Sequence, residues 1–183
     1  VRCGAVPVGY QAEHGAALVD GATFECAAGR SIEIFHAQGR IQRSVLGGQL
    51  YVENEGNDDE YTVVKGTVLA SGASVLYSGL VLENVVATGG LIASGSSLSL
   101  TSSVVTGQTC AITGAGSTVS TSYSVFWDNV SNGCGVTDPL TRDSTSKAVD
   151  PGFVDAPAGD FHLATGSALV DAGPSTSSAN DPD

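Results

Sequence analysis

The sequence predicts an all-β fold, a parallel β-helix with a short cap at each end. Three observations lead there. The first is self-similarity: Ala70-Ser71-Gly72-Ala73-Ser74-Val75 returns 23 residues later as Ala93-Ser94-Gly95-Ser96-Ser97-Leu98, and 21 further on as Gly114-Ala115-Gly116-Ser117-Thr118-Val119. Ser103-Val104-Val105 returns as Ser124-Val125-Phe126, again at 21. A period of roughly 20–25 residues marks a solenoid. The second is composition: these units are rich in Val, Leu, Ser and Thr and broken by Gly, as short strands joined by tight turns are. The third is that no stretch repeats its apolar residues at helical spacing over three turns, in a chain of 183 residues with 24 glycines. With one coil per repeat, each coil stacks on the next about 4.8 Å away. Val75, Leu98 and Val119 should then lie over one another.

Taken in order, residues 1–29 read as an N-terminal cap. Val1-Arg2-Cys3 and Ala22-Thr23-Phe24-Glu25-Cys26 are short strand candidates between polar, glycine-rich turns. A solenoid needs its end rung covered, because bare strand edges pair with other chains. Coils are expected over residues 30–135. Within them, Ser31-Ile32-Glu33-Ile34-Phe35-His36 alternates, with Ile32 and Ile34 to one face and Glu33 and Phe35 to the other. Gln49 to Glu53 alternates in the same way, with Leu50 and Val52 inward. Arg40 to Arg43 is expected at the surface. Leu80 to Val86 is the most hydrophobic rung, and Asn84 stands where solenoid corners place a polar side chain to satisfy turn amides. The serine-rich run from Ser94 to Ser103 is expected to point outward. Residues 136–174 read as a C-terminal cap and 175–183 as a flexible tail or assembly segment.

Glu53 to Glu60 is an acidic loop in which Asp58, Asp59 and Glu60 are candidate Ca²⁺ ligands. It lacks the spacing of a defined calcium loop, and a solvated turn is the plainer reading. No other cofactor is expected.

The four cysteines are Cys3, Cys26, Cys110 and Cys134, which allow three pairings. Their spacings, 23 and 24, are each close to one coil. Residues one coil apart lie within the Cα separation a disulfide needs. Cys3–Cys26 and Cys110–Cys134 are therefore expected, each stabilising by roughly 3 kcal/mol in the chain-entropy model.

Net charge is −12, from 19 acidic and 7 basic residues, and Lys65 and Lys147 are the only lysines. Nucleic-acid affinity rests on cations set against phosphates, so a nucleic-acid partner is not expected, and an anionic membrane surface is equally unattractive. No apolar run approaches the roughly 18 residues that span a bilayer. The chain begins at Val1 and contains no Met. Either a signal peptide has been removed or this is an excised fragment, and the first is the expectation.

The end of the coil region carries a resemblance. Tyr123-Ser124-Val125-Phe126-Trp127-Asp128-Asn129 resembles a rung of bacterial right-handed parallel β-helix repeat proteins. Asp150-Pro151-Gly152-Phe153-Val154-Asp155, then Gly159-Asp160-Phe161-His162-Leu163, then Gly166 to Gly173, resembles the choice-of-anchor Q type ending of that family. The three pieces come in the family's order. Ala168 departs from it, standing where the family usually has Pro, and residues 174–183 read as polar, so attachment through a C-terminal anchor of the kind many relatives carry is not expected. The resemblance implies a right-handed, secreted or surface-exposed β-helix, and it carries over no active site. It makes Trp127, Asp150, Pro151, Phe153, Asp160, Phe161, Leu163, Asp171 and Gly173 structural cap residues. Phe153, Phe161, Leu163 and Leu169 would cover the last rung, with the aspartates accepting turn amides.

Many parallel β-helices act on polysaccharides, a chemistry that needs converging acidic or basic groups. Basic residues are scattered, and Asp58-Asp59 is the only adjacent aspartate pair, without the paired-carboxyl context of an inverting hydrolase. His14, His36 and His162 read as isolated. No G-x-S-x-G elbow is present. Trp127 reads as a core or cap residue beside Phe126. The functional expectation is an extracellular structural or adhesive module, able to form a homo-oligomer or end-to-end filament. The alternative is a module that binds or degrades an extracellular polysaccharide, signalled by a groove with exposed Tyr51, Tyr61 or Trp127.

Overall fold

The computed structural model describes residues 8–26, 29–54, 61–141 and 143–174. They form a parallel β-solenoid of about six turns. The first coil carries β1 (Val8–Asp20) and β2 (Thr23–Phe24), and the second β3 (Arg30–Gln42) and β4 (Val45–Leu46). The third carries β5 (Gln49–Glu53), β6 (Tyr61–Lys65) and β7 (Val68–Leu69); the fourth β8 (Ala73–Leu76), β9 (Gly79–Glu83) and β10 (Val86–Ala87). The fifth carries β11 (Leu91–Ser94), β12 (Ser97–Thr101) and β13 (Val104–Thr106); the sixth β14 (Cys110–Ala115), β15 (Thr118–Ser122) and β16 (Val125–Trp127). β17 (Ser131–Cys134) begins a further turn.

These strands build three faces. β5, β8, β11, β14 and β17 stack in order on the first half of β3. β6, β9, β12 and β15 stack on its second half. β2, β4, β7, β10, β13 and β16 form the third face. Both β1 and β3 turn a corner without breaking, at His14 and His36, whose φ values are +61° and +47°. Residues 8–24, assigned to the cap from sequence, thus carry two strands that stack in register on β3 and β4.

Alternation sends every second side chain inward. Ile32, Leu50, Ala73, Leu91 and Ile112 stack as one internal column, and Phe24, Leu46, Leu69, Ala87, Val105 and Phe126 as another. All are buried, and each Val, Leu, Ile or Phe among them contributes roughly 1.5–3 kcal/mol. Coil offset varies: Val45 pairs with Val68 at 23 residues, Val68 with Val86 at 18, and Val104 with Val125 at 21. The 18-residue step coincides with small inward residues, Ala73, Ala87 and Ala93, as a shorter perimeter encloses less volume.

This variation corrects the repeat register. Val75 pairs with Ala93, and Leu98 lies on Leu80, so Val75 and Leu98 belong to different faces. Leu98 and Val119 do stack. Ala70-Ser71-Gly72 and Ala93-Ser94-Gly95 look alike because two different corners use similar turn residues, with Gly72 and Gly95 both at positive φ.

Two corners also hold columns of left-handed residues. Gly21, Arg43, Gly66, Asn84, Ser102 and Tyr123 form one, all with φ between +49° and +61°. The kink turns the next amide away from the regular ladder, and a side-chain hydroxyl one coil on receives it. Ala22 N–H donates to Ser44 Oγ at 3.1 Å, Val85 to Ser103 at 3.2 Å, Ser103 to Ser124 at 3.3 Å and Ser124 to Ser146 at 3.0 Å. The second corner repeats the device, with Ala37 N–H on Asn54 Oδ1 at 3.2 Å and Ser96 N–H on Ser117 Oγ at 3.1 Å. The expectation that Ser94 to Ser103 points outward therefore fails for Ser96 and Ser103, which are buried acceptors.

The C-terminal end is closed by residues that immediately follow β17. Val136 and Leu140 pack on the core, and a 3₁₀ turn, Pro139–Thr141, follows β17. Lys147 pairs with Val125, extending the third face. Asp143 ties this segment together by accepting from Thr145 and Ser146. Cys110–Cys134 is a disulfide, as expected. It runs diagonally, since the ladder partner of Cys110 is Ser131. Cys26 is also disulfide-bonded; Cys3, its expected partner, lies outside the described residues.

Candidate functional site

The outer side of the first three coils carries the densest group of chemically versatile side chains. Strand alternation turns Gln11 and Glu13 outward from β1, Glu33 and Phe35 from β3, and Tyr51 and Glu53 from β5. The register sets Gln11 beside Glu33 and Glu33 beside Tyr51, and likewise Glu13 beside Phe35 and Phe35 beside Glu53. Gln11, Glu13, His14, Glu33, Phe35 and His36 line an open hollow of about 370 Å³.

Arg30 organises one flank. Its Nη1 lies 2.6 Å from Glu33 Oε1 while its guanidinium sits 3.4 Å above the Tyr51 ring. The Tyr51 hydroxyl donates to Glu53 Oε2 at 2.7 Å, and burial followed by that hydrogen bond pushes the phenol above its ordinary value. Phe35 packs against Tyr51 with ring centroids 5.8 Å apart. On the other flank Gln11 Nε2 donates to Glu13 Oε1 at 2.7 Å. His14 and His36 stack at the corner, their centroids 5.5 Å apart and planes 21° from parallel. His14 and His36 are thus a pair, not isolated as the sequence suggested. Their separation of 22 residues was the available signal, since it equals the offset between the first two coils. Asp20, at the far end of β1, bonds Arg43 and Gln42, and these contacts hold its carboxyl below the usual range.

The cap residues are distributed differently from expectation. Trp127 ends β16 and is 38% exposed, whereas its neighbour Phe126 is buried in the core. Strand alternation after the inward-facing Phe126 turns it to the outside. Phe153 and Phe161 form an edge-to-face pair at 5.2 Å between β18 (Phe153–Asp155) and β19 (Asp160–Leu163), an antiparallel hairpin. Among the described residues, Val136 and Leu140 pack against the end of the core, while Phe153, Phe161, Leu163 and Leu169 are not in that contact set. Two of the three aspartates accept turn amides as expected, Asp150 from Gly152 at 2.8 Å and Asp160 from His162 at 3.1 Å. The His162 ring, then its amide, holds the Asp160 carboxyl below its ordinary value. Pro151 is buried and its carbonyl accepts from Ser167 Oγ at 2.6 Å. Asp171 adopts a left-handed φ of +58°, and Gly173 is exposed.

Asp58, Asp59 and Glu60 lie outside the described residues, as do residues 175–183. Among the described residues no group of three or more His, Cys, Asp or Glu converges as metal ligands. No helix among them is long and apolar enough to cross a membrane.

No protein-family model, curated protein or solved structure matches the chain.

Proposed function

We propose that this chain is a secreted structural or adhesive β-solenoid module that self-associates through the outer edge of β1. The asymmetry of its two ends carries the reading. At the C-terminal end, Lys147 occupies the edge of β16, and the Pro139–Thr141 turn lies against β15 and β17, which end their own faces. At the other end, β1 is a strand of 13 residues hydrogen-bonded on one side to β3, with no second strand partner among the described residues. A strand edge of that length is a template for pairing. Edge pairing between two copies of one end is isologous and closes at a dimer, whereas filament growth requires two complementary ends. The disulfides suit an oxidising compartment, and the C-terminal motifs that resemble the choice-of-anchor Q ending support a surface role. Sedimentation velocity across a concentration series tests it. A monomer–dimer equilibrium is expected. Monomer at every concentration would refute the pairing, and open-ended polymers would refute closure at a dimer.

A polysaccharide-binding role is the second reading, favoured by the hollow beside Tyr51 and by Tyr61 and Trp127, which are 51% and 38% exposed. Aromatic faces beside carboxylates and an amide are the groups that hold sugar rings and hydroxyls. A glycan array with wild type and Tyr51→Ala separates the two readings. Binding that the substitution abolishes supports a glycan site, and no bound glycan removes it.

A further inference from the structure

We propose that His14 and His36 form a site for one first-row divalent transition-metal ion, such as Zn²⁺, Ni²⁺ or Cu²⁺. The two imidazoles are its protein ligands and water fills the remaining positions.

The argument begins with the backbone. Each histidine occupies the left-handed corner of its strand, at φ +61° and +47°, and the coil register sets one directly over the other. The flanking pairs Glu13–Phe35 and Gly15–Ala37 are ladder partners, so the two side chains leave neighbouring coils from matched positions. Their centroid separation of 5.5 Å is close enough for one nitrogen of each ring to reach a common ion at about 2.0–2.1 Å once the side chains rotate out of their near-parallel arrangement and both ring planes meet at the ion. Both rings line the open hollow, so the ion keeps water ligands and has a path in.

The surroundings select the class of ion. Glu13 lines the same hollow and adds negative charge to it, while the Glu33 charge is paired with Arg30, and neither converges with the imidazoles as one of a group of three ligands. Imidazole donors suit Zn²⁺, Cu²⁺ and Ni²⁺, whereas Ca²⁺ and Mg²⁺ require oxygen cages. The site's two protein ligands are none of the residues that the sequence offered for Ca²⁺. Its open positions leave room for a donor from a bound molecule.

The test is calorimetric titration of the untagged protein with ZnCl₂ and with NiCl₂, with CaCl₂ as comparison. His14→Asn and His36→Asn are the informative variants, because Asn accepts left-handed φ better than most residues and so keeps the corner. Circular dichroism confirms the fold of each. One ion per chain is expected, with Kd below about 1 mM. Each single substitution should weaken it by at least about 10-fold, the loss that even an outer-shell partner produces. The double variant should bind no ion, and His162→Asn should bind as wild type. Failure to saturate below that concentration overturns the proposal. So does a double variant that binds like wild type, a preference for Ca²⁺, or loss of binding in His162→Asn.

Discussion

The hydroxyl of Ser103 receives the amide of Val85 at 3.2 Å while donating to the Thr101 carbonyl at 2.9 Å. It thereby joins two coils at a corner where the left-handed Asn84 has turned that amide out of the strand ladder. Ser103 is buried, so Ser103→Ala leaves the amide without an acceptor and away from water. The expected loss is about 1–3 kcal/mol, a fall in Tm of roughly 2–4 °C per kcal/mol for a chain this size. Ser97→Ala, on the exposed side of β12, should change stability by less than about 0.5 kcal/mol. Equal effects in thermal melts of the two variants would remove the corner hydroxyl as a stabilising element.

Thr62 presents the opposite case. It is buried, and its Oγ1 has no hydrogen-bond partner. The position lies opposite Gly39, whose missing side chain leaves room for it. Replacing the hydroxyl with a methyl removes an unsatisfied polar atom at nearly constant shape. Thr62→Val should stabilise by about 1 kcal/mol, read as a higher denaturant midpoint at unchanged slope. A lower midpoint would show that the hydroxyl is bonded in solution.

The sequence made the alternating strands legible, because Ile32, Ile34, Leu50 and Val52 announce their inward face by period alone. It also revealed the 21-residue step, where Ser103-Val104-Val105 and Ser124-Val125-Phe126 occupy equivalent corners. It misjudged the 18-residue step, because coil length is set by turns that add or drop residues without changing the strands. Buried serines were misread for a related reason. Ser96 and Ser99 are the same residue type on one rung, and only the left-handed corner makes Ser96 an internal acceptor. The histidine pair was hidden because its two members are neighbours only after the first coil offset is known. The cap motif was visible, but which residues touch the core was not: Val136 and Leu140 are unremarkable in sequence.

Asp143 makes the C-terminal closure pH-dependent. Burial pushes its carboxyl up, but hydrogen bonds from Ser146 and Thr145 outweigh that and hold it below its ordinary value. The folded state therefore favours the ionised form. The stability it contributes is fully present above the unfolded value and is lost as pH falls through the lower folded value. Ser146 and Thr145 in turn receive the amides of Ser124 and Tyr123. Hydrogen exchange at those two amides, corrected for the intrinsic pH dependence, should lose protection as pH falls below the ordinary carboxylate range. Asp143→Asn should show reduced protection already at neutral pH and little further change on acidification. Unchanged protection in that variant would detach the aspartate from the lid.

Gly89 separates close contact from backbone freedom as reasons for a glycine. A methyl group there would collide with the backbone of Ser71 and Gly72 on the preceding coil, atoms that cannot swing away. Gly107, at a φ of +73°, has no atom within 4 Å of the corresponding position. An alanine at Gly107 meets left-handed strain alone, worth roughly 1–2 kcal/mol. Gly89→Ala must instead push two coils apart, and overpacking of this kind costs about 1–3 kcal/mol or more. That separation would also lengthen the neighbouring bond from the Thr88 amide to the Leu69 carbonyl, now 3.2 Å. Amide exchange at Thr88 is accordingly expected to accelerate in Gly89→Ala and to stay at the wild-type rate in Gly107→Ala. Wild-type exchange in both variants would mean that the coils at this corner are spaced by something other than glycine contact.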